Sequence, residues 1–233
     1  MNSKAFLVAG INSRNLKLAY IITGIVMLST VIQDIVYAIL AQYGKYPGAY
    51  SSNVGTGNYL YLFVLLSAIF IPALNFRKMM NLGGKRNDFF KGSFVCYIIM
   101  TASVSLASLV LYYTYDRFMI RFYSGRLNLL DTFGWAGHGP VIAFFQQFMF
   151  LLLLAAFVHT LVCMQDRWYG WATDAVIVAI ISVFTPLATF RAVLVRFFNL
   201  IIFGNPYLQI VSCLILAIVF YVLSKPVLNR TKI

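Results

Sequence analysis

The sequence predicts an all-α integral membrane protein, a single transmembrane domain of six helices with both termini in the cytoplasm. Three observations carry this. Of the 233 residues, 61% are hydrophobic and 10% charged, too few polar side chains to coat a soluble domain of this size. Six apolar runs approach the ~20 residues that a helix rising ~1.5 Å per residue needs to cross a ~30 Å hydrocarbon core. The 18 Lys and Arg residues stand mainly between those runs. That is the pattern of flanks that meet anionic headgroups, whereas nucleic-acid-binding proteins carry their charge on a polar face.

Taken in order, residues 1–17 read as an interfacial helix, because Phe6, Leu7, Gly10 and Ile11 recur at helical spacing between Lys4 and Arg14. The first span, 18–41, exceeds the ~7–15 residues of a signal-peptide core and is followed by five more, so it is retained. Residues 43–58 are rich in Gly, Ser and Tyr and nearly uncharged, an outer loop. The second span, 59–74, is short; a basic loop, 75–92, leads to the third, 94–113. Residues 114–139 interleave Asp116, Arg117, Arg121, Arg126 and Asp131 with Phe118, Met119, Phe122, Leu127, Leu129 and Leu130. This predicts a partly helical amphipathic segment on the outer surface. The fourth span is 140–162.

The fifth, 175–189, is irregular. The chain runs from Ala175 to Gly204 without a polar loop, more than one span needs and too little for two. Pro186 removes a backbone donor, and Arg191 and Arg196 follow at a depth where charge is costly. A break near Pro186, with 190–204 re-entering along the outer leaflet, satisfies both; one long tilted helix with snorkelling arginines is the alternative. The sixth span is 207–223.

Orientation follows the positive charge. Termini inside would place twelve basic residues in the cytoplasm, Lys4, Arg14, Lys17, Arg77, Lys78, Lys85, Arg86, Lys91, Arg167, Lys225, Arg230 and Lys232, against six outside. All six acidic residues are Asp; there is no Glu. That removes HExxH zinc chemistry and paired-Glu intramembrane proteolysis, and no GxSx nucleophile accompanies the two histidines, His138 and His159. The three cysteines, Cys96, Cys163 and Cys213, form no CxxC or Cys/His cluster and read as small buried hydrophobes, so no metal site is expected.

Polar residues inside spans are the natural candidates for a cargo path. Gln33 and Asp34 lie two-thirds along the first span, where Asp34 could pair with a cationic substrate, with Arg191 or with Arg196, or lie hydrated among outer headgroups. His159, in the fourth span, reads as an interhelical hydrogen-bonding group. Pro186 and Arg191 complete the candidate path.

The loop 75–92 is the most informative stretch. Phe76, Met79, Met80 and Leu82 stand among basic residues, Gly83-Gly84 reads as a helix stop, and Asn87 or Asp88 is placed to cap a helix opening with Phe89 and Phe90. So much apolar surface among charges predicts an exposed knob for another protein or for the membrane surface.

This stretch resembles the coupling-helix region of type-2 ABC transporter permeases, which reads as a basic residue, a short apolar run, Leu-Gly, a small residue, a basic residue and an aromatic pair before Gly. Arg77, Leu82-Gly83, Arg86, Phe89-Phe90 and Gly92 stand in those places. Six spans, an N-terminal interfacial helix and a re-entrant element between the fifth and sixth also match, so the resemblance covers essentially the whole chain. It is greatest to small bacterial exporters of amphipathic peptides, bacteriocins or hydrophobic drugs.

The resemblance implies a permease of the bacterial plasma membrane that pairs with a second permease copy or a paralogue and docks on two ATPase subunits. Phe76, Arg77, Met79, Met80, Leu82, Gly83, Arg86, Asp88, Phe89 and Phe90 would form the ATPase-coupling surface, and Asp166, Arg167 and Trp168 a second cytoplasmic contact. The chain has no GxxxxGK[ST] phosphate loop, so ATP and Mg²⁺ would be held by the partner ATPase and no cofactor by this chain. A secondary transporter or channel, and a non-transporting immunity or scaffold protein, are the alternatives.

Overall fold

The computed structural model describes residues 3–43, 53–121, 126–165, 167–184 and 186–230. It is an all-α membrane-type bundle with five helices long and apolar enough to cross a bilayer, and a bent helix pair that supplies a sixth if its halves are taken as one span.

Helix α1 (Ser3–Arg14) leads through a short turn into α2 (Lys17–Gln42). On α1 the residues Phe6, Leu7 and Ile11 that suggested an interfacial helix face outward, while Ala5, Val8, Ala9 and Asn12 are buried against α5 (Arg86–Leu111). Gly92 makes this approach possible: a Cβ there would lie 2.4 Å from Val8 Cγ1. Asn12 Nδ2 donates to Ser93 Oγ at 3.1 Å beside it. The N-terminal helix is thereby fastened to the bundle by small residues and one buried polar pair.

The second apolar helix is not short. It begins with a 3-10 turn at Thr56 and runs through α3 (Leu60–Phe70), a π-helical turn (Ile71–Asn75) and α4 (Phe76–Asn81). Pro72, which has no N–H to give the preceding turn, falls in the widened π turn. Likewise α5 continues through a π turn (Tyr112–Asp116) into α6 (Arg117–Met119), so the third apolar helix spans 34 residues. The start of the segment expected on the outer surface therefore belongs to this rod. A two-residue parallel pair joins β1 (Asn53–Val54) to β2 (Arg126–Leu127), and Asn128 caps the one-turn α7 (Leu129–Thr132) by accepting from the Leu130 N–H at 3.0 Å.

Helix α8 (Pro140–Met164) is the centre of the bundle, packed on α11 (Pro206–Arg230), α5 and α3. All three cysteines are buried, and no disulfide joins any two of them. Between them in sequence, α9 (Trp168–Phe184) gives way to α10 (Ala188–Phe198), their axes 114° apart across Pro186. No residue of α10 is buried. One face of it carries Phe190, Leu194 and Phe197, and the other Arg191, Ala192 and Arg196.

Candidate functional site

The loop between α3 and α5 is built by two local rules. Helix α4 ends where Gly83 adopts φ +78°, a left-handed value that an L side chain resists. The N–H of Gly83 and of Gly84 close back on the carbonyls of Met80 and Met79, both at 3.0 Å, which satisfies the helix end in a Schellman-type turn. Helix α5 then starts after Lys85 with no side-chain cap. Neither Asn87 nor Asp88 performs the capping role expected of it. Both already lie inside the helix, where the Asp88 carboxylate in the first turn still complements the positive end of the helix dipole.

The expectation of an exposed aromatic knob is corrected. Phe76 and Phe89 are buried, their rings meeting edge to face with centroids 5.2 Å apart, because each helix turns its first large aromatic into the bundle where the loop closes. Met79, Met80 and Phe90 are half-buried against the same core. What remains at the tip is Leu82, 88% exposed, with Arg77, Lys78, Asn81 and Lys85 around it.

Arg86 and Phe90 tie the loop to the last helix. Arg86 donates to the carbonyls of Leu228, at 3.1 Å, and Asn229, placing its cation at the negative end of α11. Tyr221 OH donates to the Phe90 carbonyl at 2.6 Å while its ring packs on the Phe90 ring. Of the second contact, Asp166 lies outside the described residues, Arg167 is half-buried and Trp168 is 79% exposed.

At the other end of the bundle lies a buried polar cluster. Arg126 Nη2 is 2.7 Å from Asp34 Oδ2 and 3.3 Å from Asp116 Oδ1, all three side chains being out of solvent. The same nitrogen donates to Thr56 Oγ1 at 2.7 Å, and Tyr115 OH donates to Asp34 at 3.1 Å. Asp116 also accepts from the Thr56 N–H at 3.1 Å and from Asn128 Nδ2 at 2.8 Å. Burial of a charge is tolerated only with partners of this kind.

The candidate path is corrected accordingly. Asp34 pairs with Arg126, not with Arg191 or Arg196, which are exposed on α10, and it is not hydrated. Gln33 and Pro186 are exposed as well, so of the four candidate residues Asp34 alone is buried. Arg126 and Asp116 stand in the segment whose mixed charge and hydrophobicity predicts an outer surface, and no local pattern in the sequence joins positions 34, 116 and 126.

A third polar group lies in the bundle centre. His159 Nδ1 is 2.8 Å from Tyr97 OH, and its Nε2 3.5 Å from Cys163 Sγ, an interhelical hydrogen bond between α5 and α8. Toward the Asp34 end, Gln146 Nε2 donates to Gln209 Oε1 at 2.5 Å and Gln147 Nε2 to Tyr61 OH at 2.7 Å. Among the described residues no group of three or more His, Cys, Asp or Glu is placed to hold a metal ion. No protein-family model, curated protein or solved structure matches the chain.

Proposed function

We propose that this chain is the membrane-spanning permease subunit of an ATP-driven exporter of the bacterial plasma membrane, moving an amphipathic peptide or a hydrophobic compound. Two permeases would pair over two cytoplasmic ATPase subunits, which bind ATP and Mg²⁺, with the termini and residues 75–92 on the ATPase side. The observation that supports this best is the α4–Gly83–α5 turn. It is a short helix with a single exposed leucine among cations, clasped at its base by Phe76 and Phe89 and tethered to α11 by Arg86. A push on Leu82 would be delivered to three core helices together, which is what coupling to a closing nucleotide dimer demands.

The test is to purify the chain with the ATPase encoded beside it and to measure vanadate-sensitive ATP hydrolysis in vesicles. A stable complex whose hydrolysis depends on the permease supports the reading. Failure of any such ATPase to bind would overturn it.

A further inference from the structure

A crevice of about 630 Å³ opens between α1, α2, α3 and α5. Its floor is apolar, with Phe63, Met100 and Val104, and its rims carry Gly10 of α1 and Gly24 of α2. Helix α2 packs on the bundle through Tyr20, whose ring lies on that of Phe63 with centroids 4.6 Å apart, and through the buried Thr23, Thr30 and Asp34. On the rims the two glycines leave open space. A Cβ built on Gly10 or Gly24 meets no atom within 4 Å, whereas one on Gly92 would collide with Val8. Glycine at positions 10 and 24 therefore serves no helix-to-helix contact and leaves the crevice wide.

An apolar slot of this size is filled by apolar matter and not by water, which would find few hydrogen-bond partners. Its extent decides which matter. Along α5 the lining runs from Cys96 to Ala107, about 16 Å at ~1.5 Å per residue, or half of a ~30 Å hydrocarbon core. That is the depth of one leaflet.

The charge at one end decides the rest. Ser13 and Tyr20, whose hydroxyl oxygens lie 3.5 Å apart, mark that end. Arg14 adjoins Ser13, and Lys17 lies three positions before Tyr20 on the same face of α2, both exposed. No acidic residue precedes Asp34 in the chain.

We propose that this crevice is a specific lipid site, holding one acyl chain of an anionic phospholipid whose headgroup is bound by Arg14 and Lys17. The inference needs only that α2 and α5 lie in a bilayer, and it stands or falls separately from the ATPase partnership.

The site is tested on the whole protein in vesicles of phosphatidylcholine containing 30% phosphatidylglycerol, extracted gently and weighed by native mass spectrometry. The wild type should retain one phosphatidylglycerol per chain, at least fivefold in preference to phosphatidylcholine. Gly24→Leu, which grows into empty space and suits a helix better than glycine, should keep the thermal midpoint and lose the bound lipid at least tenfold. Gly10→Leu gives the same reading from the opposite wall should Gly24→Leu fail to fold. Lys17→Gln should retain a lipid but lose the preference. Equal retention of both lipids by the wild type, undiminished phosphatidylglycerol in the filled variants, or displacement of a non-lipid compound instead would each overturn the proposal.

Discussion

Arg126 reaches Asp34 at 2.7 Å across 92 positions of sequence, inside a helical bundle where neither side chain meets solvent. The contact fastens the far end of α2 to the residues that follow the longest helix. Removal of one partner leaves an uncompensated charge, which costs about 3–5 kcal/mol in buried pairs. Arg126→Gln should be the more damaging change, since it abandons Asp34 and Asp116 together, and Asp34→Asn the milder. The double variant should lose less than the sum of the two. Reversible unfolding in mixed detergent micelles measures all three; additive losses would show that the pair is not a unit.

Gly92 makes the opposite demand to Gly24. Because its Cβ position is already occupied by Val8, Gly92→Ala should destabilise by about 1–3 kcal/mol through overpacking. Gly24→Ala should be neutral or stabilise by up to ~1 kcal/mol from helix propensity alone. Thermal melts of the two variants side by side decide it, and a neutral Gly92→Ala would mean that α1 is not seated as described.

Leu82 and Phe89 separate surface from core in the proposed coupling element. Leu82→Glu changes a side chain that is 88% exposed and should leave stability within about 0.5 kcal/mol, yet reduce ATPase binding at least tenfold. Phe89→Glu places a carboxylate against Phe76 in the core and should prevent folding. Co-purification combined with size-exclusion profiles reads both outcomes. Undiminished ATPase binding by Leu82→Glu would remove the tip of the turn from the docking surface.

The long apolar runs were legible because bilayer thickness writes itself directly into sequence as uninterrupted hydrophobicity. Gly83 was legible as a stop because few residues other than glycine take its left-handed backbone. The continuation of α3 to Asn81 and of α5 to Met119 is hidden by Asn75 and Asp116. Such residues look like loop until the π turns and their distant partners are in place. The Phe76–Phe89 clasp leaves no mark in composition, which reports how apolar a loop is, not which way it faces. Asp34 stands out as an acid within an apolar run, but its partner Arg126 lies in a stretch whose alternation of charge and hydrophobe has the pattern of a surface.

The rod from Arg86 to Met119 places Phe89 near one end and Asp116 near the other, about 40 Å apart at ~1.5 Å per residue. As a lever of that length, it converts a tilt of about 5° at the Phe89 end into a swing of about 3–4 Å at Asp116. The Arg126 to Asp116 separation is 3.3 Å. A swing of that size, at the end of a close-packed helix, would unlatch Asp116 from the guanidinium together with the Thr56 N–H and Asn128 that also hold it.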